Sequence, residues 1–306
     1  MITVVGSLNL DLVVRVERMP EPGETLAATG YAEQPGGKGA NQAVAAARAA
    51  GGSDGRVRMI GRVGRDDAGR GLRDGLAADR IDVGEVREAD APTGRAFIEV
   101  DAHGRNRIVI VAGANAAWGP DDLPDPLVAP GDTLLLQREV PDSVVAAAAR
   151  AAATAGARVV LNLAPAGRVD PDVLAATDVL IVNESEAALT LDRPTTAVAD
   201  DVDRAAHDLA ERVGGDVVLT LGAQGAAFAG TSGVGRVPGF AAETVDTTAA
   251  GDAFVGALAA RLEEGADLPE AVRFACAAGA EAVTREGAQP SLPTRDAIEA
   301  RLTRSA

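Results

Sequence analysis

The chain has 306 residues, 47% of them apolar, and carries 29 basic against 45 acidic side chains, a formal net charge of −16. That length and apolar content suit one large globular unit with a substantial core, and the acidic balance argues against nucleic acid or an anionic membrane as a partner. A single cysteine, Cys276, excludes an intrachain disulfide and fits a reducing cytoplasm, while His103 and His207, far apart, leave little for a zinc site or a Cys/His nucleophile.

The chain opens Met1-Ile2-Thr3-Val4-Val5-Gly6, a buried-strand pattern without the basic stretch of a signal peptide. No apolar run approaches the ~20 residues needed to span a bilayer. Met1–Ser7 is therefore expected to be a core strand. Leu10–Arg18 and Glu24–Glu33 alternate loosely around the turn Pro20-Glu21-Pro22-Gly23 and predict strands of a small exposed sheet. Gly36–Ala50 is glycine-rich and then helical. Val57–Val63 predicts a strand, and Asp66–Asp79 a helix with Leu72 and Leu76 inward. Thr93–Asp101 and Arg105–Val111 read as a hairpin turned by Ala102-His103-Gly104, able to join the earlier exposed pair. Gly119–Gly131, with four prolines, reads as a surface loop.

Strands and helices then alternate. Strands are expected at Thr133–Leu136, Arg158–Leu163, Val179–Val182 and Val217–Leu221, with helices at Asp142–Ala155, Glu184–Leu191 and Asp201–Val213. Two short strands follow near Ala226–Ala229 and Gly235–Val237, and helices at Gly251–Glu264, Leu268–Arg285 and Thr294–Leu302 close the chain. Repeated βα units with apolar strands predict an α/β fold: a mostly parallel central sheet with helices on both faces, in three layers, plus a small sheet. No repeat with a 20–50 residue period is found.

Several segments carry chemistry. In Val245-Asp246-Thr247-Thr248-Ala249-Ala250-Gly251-Asp252, small residues lead into a helix, whose mouth is a natural anion site. A carboxylate there is repelled by phosphate, so Asp252 is either a base for an attacking hydroxyl or a helix cap. Gly36-Gly37-Lys38-Gly39-Ala40-Asn41-Gln42 opens a helix, and Lys38 is the only lysine among 29 basic residues. A compact ammonium in a glycine loop suits a phosphate or sugar hydroxyl, or is simply a solvated loop lysine. The loop is not a Walker A motif, because the spacing differs and no Ser/Thr follows the lysine. Asn9 and Asp11, past the first strand, suit vicinal hydroxyls or simply a turn. Asn183 and Glu186 share a face at a helix start, which fits either water-mediated Mg²⁺ binding or a capping box. Thr220-Leu221-Gly222-Ala223-Gln224-Gly225 is a turn able to cradle a nucleotide, or a plain turn.

Together these segments resemble the ribokinase-like (PfkB) family of sugar kinases. The likeness runs nearly end to end: Gly6–Asp11, Pro22–Thr25, Gly36–Gln42, Ala112–Asn115, Asn183–Glu186, Thr220–Gly225, Val245–Asp252 and Gln289–Ser291. It implies a single domain over 1–306, with lid strands at about 9–34 and 93–111 that also serve as a homodimer contact. It implies ATP-dependent phosphorylation of the 5-hydroxyl of D-ribose in the cytoplasm, with Asp252 as base and the amides of Ala249, Ala250, Gly251 and Asp252 as anion hole. Asn9, Leu10, Asp11, Gly36, Gly37, Lys38, Gly39, Ala40 and Glu139 would hold the sugar. Asn183, Thr220, Leu221, Gly222, Ala223, Gln224, Gly225, Gly251, Asp252 and Cys276 would line the ATP site, Cys276 standing where the family commonly has a histidine near adenine. Glu186 would act on Mg²⁺, and Asp246, Thr248, Ala282, Arg285, Gly287 and Ser291 would form a loop for K⁺. Arg138 sets a charge next to Glu139. Family relatives acting on a nucleoside, fructose or a sugar acid are the nearest alternative, and a non-catalytic sugar or nucleotide sensor a more distant one. Aromatics at 2% count against a nucleoside base.

Overall fold

The computed structural model describes residues 1–51 and 55–304. In chain order, β1 (Ile2–Val5) leads to β2 (Asn9–Arg15) and β3 (Gly30–Gly36), then α1 (Lys38–Ala49), β4 (Val57–Gly64), α2 (Asp67–Ala78) and β5 (Asp82–Ala89). The hairpin β6 (Gly94–Val100) and β7 (Asn106–Val111) precedes β8 (Thr133–Leu136), α3 (Asp142–Ala155), β9 (Arg158–Asn162), α4 (Pro171–Ala175), β10 (Val179–Asn183) and α5 (Glu184–Leu191). There follow α6 (Thr195–Asp200), α7 (Val202–Val213), β11 (Asp216–Thr220), β12 (Gly225–Gly230), β13 (Gly233–Pro238), α8 (Ala250–Glu263), α9 (Leu268–Ala282) and α10 (Arg295–Arg304).

The main sheet has nine strands in the order β13-β12-β11-β10-β9-β8-β1-β4-β5. Seven run parallel from β11 to β5, while β12 and β13 turn back antiparallel at one edge. Helical crossovers cover both faces, so the inner strands β1, β8, β9, β10 and β11 are mostly apolar rather than alternating. Side-chain alternation then divides the core. Val4, Leu135 and Ile181 pack with α1, α2, α8 and α9, and Val5, Leu136 and Leu180 pack with α3, α4, α5 and α7. Where α1 meets α8 the surfaces are alanine and glycine: a Cβ on Gly256 would lie 2.5 Å from the Ala45 Cβ and 2.6 Å from the Gln42 carbonyl oxygen.

A second sheet, in the order β3-β2-β6-β7, grows directly from β1, which reaches β2 in three residues, Gly6–Leu8. It exposes Tyr31, Phe97, Ile108, Val109, Ile110 and Val111. The turn from β3 into α1 is wedged under Ser7–Asn9. Gly37 adopts φ +89°, and a Cβ there would stand 2.8 Å from the Asn9 nitrogen, so this entry admits glycine alone.

The structure departs from expectation at four places. Residues 24–29 are not a strand. The Glu24 carboxylate is held locally by Arg18 and by the Glu21 N–H at 3.0 Å, which closes a turn before β3 begins. The charged Asp-Val-Gly-Glu-Val-Arg-Glu-Ala segment is a strand after all, β5, because it forms an edge of the main sheet. Two short helices, α4 and α6, were not anticipated. Helix α9 stops at Ala282 rather than Arg285: the Val283 carbonyl receives the N–H groups of Val245 and Asp246 at 2.8 and 3.2 Å, which ties the incoming loop to the helix end. No described helix is long and apolar enough to cross a membrane.

Candidate active site

Asp252 is the third residue of α8 and only 7% exposed. It does not cap the helix. The N-cap is Ala249, in the left-handed region at φ 58°, with no side-chain cap bond. The Asp252 oxygens instead accept from two side-chain amides of α1: Oδ2 from Asn41 Nδ2 and Oδ1 from Gln42 Nε2, both at 2.9 Å. The carboxylate is thus aimed at the mouth of α1, not folded back on its own helix. Among the described residues, the N–H groups of Ala249, Gly251 and Asp252 have no backbone partner. That of Ala250 is already bonded to the Thr247 carbonyl at 3.3 Å, so the expected four-amide hole is reduced to three free donors.

Lys38, the first residue of α1, lies in the same cleft as Asp252, Glu186 and Asn183. The Asp252 carboxylate above all, with Glu139 and Glu186, raises its ammonium pKa above the ordinary lysine value, against the opposing effect of burial. Glu139 holds the glycine loop in place: its Oε2 accepts from the Ser7 hydroxyl at 2.6 Å and from the Lys38 backbone N–H at 2.9 Å. Asn9, 3% exposed, accepts at Oδ1 from Asn115 Nδ2 at 2.8 Å, and Asn115 itself is clamped to the Leu8 backbone. Asp11 shares that face of β2, pressed against Gly36, where a Cβ would lie 2.1 Å from its Oδ2. Burial, and then the charges of Glu139 and Asp252, push its carboxyl up to about 7.

Not every residue of the expected sugar site is aimed there. Strand alternation puts Leu10 on the face opposite Asn9 and Asp11. Ala40 is fully buried in the core, its N–H bonded to the Ser7 carbonyl at 2.9 Å. Arg138 turns away from Glu139, to Asp142 at 3.1 Å and the Pro165 carbonyl at 3.2 Å, so it puts no charge on the sugar side.

Asn183 and Glu186 form the capping box on α5: Asn183 Oδ1 accepts from the Glu186 N–H at 2.9 Å, and Glu186 Oε2 from the Asn183 N–H at 2.8 Å. Burial raises the Glu186 carboxyl, and its side chain still lines the cleft beside Asp252. A second cleft lies across a shared wall of Thr220, Thr247 and Gly251. Gly222, Ala223, Gly225 and Cys276 line it, joined by Phe240 and Thr244, which sequence reasoning missed. Leu221 instead packs, half-buried, against the core on the other face of the sheet, and Gln224 is exposed; neither belongs to the lining. Burial pushes the Cys276 thiol up to about 12. We therefore expect an alkylating reagent at pH 8 to label native Cys276 at least about 100-fold more slowly than the unfolded chain, since the thiolate is the reactive form. Rapid stoichiometric labelling of native protein would contradict that burial.

The 245–248 loop and the 282–291 segment meet. Asp246 accepts from the Thr248 N–H and hydroxyl at 2.9 and 2.6 Å and from the Gly287 N–H at 2.9 Å. Burial alone would raise its carboxyl, but these bonds hold it below the ordinary value. The Ala282 carbonyl already receives the Arg285 N–H at 3.2 Å, and the buried Ser291 hydroxyl donates to the Ala288 carbonyl at 2.8 Å. Sequence reasoning also passed over Asn41 and Gln42, although both lie inside the glycine motif, and Gln137 and Asn162, which no local signal marks.

Comparison with known proteins agrees with this arrangement. A family model described as pfkB family carbohydrate kinase matches residues 1–295. A ribokinase of Haemophilus influenzae is 39% identical over 300 residues, covering 96% of this chain and 95% of that protein. A bifunctional ribokinase/ribose-5-phosphate isomerase A of Fructilactobacillus sanfranciscensis is 38% identical over 306 residues, covering 97% of this chain, which spans only 55% of that longer protein. Among solved structures, Arabidopsis thaliana ribokinase complexed with ribose and ATP superposes with a TM-score of 0.86 at 32% identity, covering 98% of each chain. With a matching model over nearly its whole length, the chain belongs to the pfkB family of carbohydrate kinases.

Proposed function

We propose that the protein is an ATP-dependent sugar kinase that phosphorylates the 5-hydroxyl of D-ribose to give ribose 5-phosphate. The observation that carries this reading is the setting of Asp252 at the mouth of α8, in the cleft of Lys38 and Glu186, near enough to Asp11 and Glu139 for their charges to interact, with the second cleft across a shared wall of Thr220, Thr247 and Gly251. The likeness to ribokinases, one of them complexed with ribose and ATP, supports the choice of substrates.

Asn9, Asp11 and Glu139 bind the sugar hydroxyls over the Gly36–Gly39 loop. ATP lies along Thr220–Gly225 and past Cys276, with its transferable phosphate toward α8. Asp252 takes the hydroxyl proton as the sugar oxygen attacks phosphorus, while the free amides of the first turn and Lys38 meet the charge on the moving phosphoryl group. The residues present fit a magnesium ion held largely through water: Glu186 is buried in the cleft, and its Oε2 is taken by the cap, which leaves Oε1. When bound, that ion supplies countercharge to the phosphate oxygens. The carbonyls of Asp246, Thr248, Arg285 and Gly287 receive no hydrogen bond among the described residues, a donor set that fits a monovalent cation such as K⁺. Ala282 fits it less well, since its carbonyl is occupied. The four-stranded sheet acts as a lid within one domain, its exposed apolar side chains serve as a homodimer contact, and the enzyme works in the cytoplasm.

A coupled ADP-release assay over ribose, deoxyribose, fructose, a nucleoside and a sugar acid tests the substrate. Ribose should give the highest kcat/KM. Replacing K⁺ by a bulky organic cation should cost about tenfold. A different sugar at the top would move the protein elsewhere in the family, and tight binding without turnover would make it a sensor.

A further inference from the structure

The geometry points to Gln137 as a positioning residue for Asp252, acting through Gln42. The inference rests on Asp252 being the base. Gln137 immediately follows β8, touches neither cleft, and is fully buried, as is Gln42. Its Nε2 donates to Gln42 Oε1 at 2.7 Å. The other end of the Gln42 amide donates from Nε2 to Asp252 Oδ1 and to Asn162 Oδ1, each at 2.9 Å. Asn162 is fixed in turn by its Nδ2, which donates to the Ile181 carbonyl at 3.3 Å.

An amide has donors at one end and an acceptor at the other, so this chain has a direction. Turned over, Gln42 would set its oxygen against a carboxylate and a second carbonyl oxygen, and would face the Gln137 donor with a donor. The Gln137 N–H is the contact that fixes Gln42 from behind. Gln137 does this at a cost to itself, because its own Oε1 is buried without a partner. An unpaired buried oxygen is destabilising. Gly6 makes room for that amide, since a Cβ there would lie 2.2 Å from Gln137 Oε1. Packing alone does not account for a side chain that is unsatisfied at one end and directed at the other; holding Gln42, and through it Asp252 Oδ1, does. A base displaced by ~1 Å can lose on the order of 10²-fold in rate.

Two substitutions separate this role from packing. Gln137→Met keeps the volume, removes the unpaired oxygen and removes the donor. It exchanges one unpaired buried oxygen, Gln137 Oε1, for another, Gln42 Oε1, so it should melt close to the parent, lower kcat about 10- to 100-fold at every pH, and leave both KM values within about twofold. Gln137→Glu keeps a donor only while the introduced carboxyl is protonated. Once ionised, it draws the Gln42 N–H to itself and turns the Gln42 oxygen onto Asp252. Its kcat should therefore exceed that of the Met variant at low pH and fall below it at high pH, along a new alkaline limb. The titratable groups on the neighbouring elements are Asp252 on α8, Lys38 on α1, Asp11 on β2, Glu139 after β8 and Glu186 on α5. All are present in the parent and in the Met variant, so a limb confined to the Glu variant belongs to residue 137. A Met variant with kcat within twofold of the parent overturns the inference, as does a Glu variant whose profile runs parallel to that of the Met variant. Asp252→Asn is measured alongside: if it keeps turnover, the base assignment itself fails, whatever Gln137 does.

Discussion

Asp252→Asn is expected to lower kcat by about 10²–10⁴-fold, the range for losing a positioned base, while ATP binding measured by calorimetry stays within a few-fold. The substitution is nearly isosteric, and the site can absorb it. Asn41 and Gln42 both offer N–H groups to the carboxylate, so an amide at 252 would set one donor against another. Asn41 Oδ1, however, is buried and unpartnered, so rotation of the Asn41 amide restores a donor–acceptor contact. The variant should therefore melt close to the parent, and its loss of rate should reflect chemistry rather than unfolding. Turnover near that of the parent would remove Asp252 from the mechanism.

Asp11→Asn is expected to stabilise the ligand-free protein and weaken its hold on sugar. The Asp11 carboxyl is pushed up from its ordinary 3.8 to about 7, so the native state keeps a proton that the unfolded chain gives up. Stability then falls as pH rises from about 4 to about 7 and levels off above. Asparagine does not titrate. Its advantage should be small at pH 4, grow through that window and be complete by pH 8, where about three units at 1.36 kcal/mol set a ceiling of about 4 kcal/mol. In a chain of this size that is a rise of several degrees in Tm. The sugar KM should rise on the order of 10-fold or more as a hydrogen bond to a charged group is lost. A gain in Tm independent of pH would show that Asp11 is not held in a raised state.

The sequence marks Asp252 and Asp11 as site candidates but not the raised carboxyl of Asp11, which depends on burial beside Glu139 and Asp252. The βα rhythm fixed the parallel sheet because strands buried on two faces must be apolar throughout, as in Val179–Val182 and Val217–Leu219. The same rule hid β5, an edge strand whose charges are exposed. It also overextended the strand before Glu33, where alternation was present but Glu24 was bonded to its own turn. In the site, glycines and a lone acid at a helix mouth have local physical reasons that can be read one segment at a time. Asp252 as cap or base could not be decided that way, because the deciding contacts come from Asn41 and Gln42, more than 200 positions away. Gln137 and Asn162 were invisible for the same reason: a single amide at a strand end has no signature until the opposing helix is in place. The environment of Arg138 was misjudged because sequence adjacency to Glu139 says nothing about direction: in the bend after β8, Arg138 goes to Asp142 and the Pro165 carbonyl while Glu139 goes to Ser7 and Lys38.

The seam at Gly256 bears on how this enzyme can be altered. Helices α1 and α8 touch there backbone to backbone, so the span from Lys38 to Asp252 is set by main-chain thickness, like a gauge block, and not by rotamers that could be exchanged. Widening it by even one methyl would part acceptor from donor without changing any residue that meets either substrate. Attempts to broaden sugar preference should therefore leave this joint alone and work on the small sheet, away from α1 and α8.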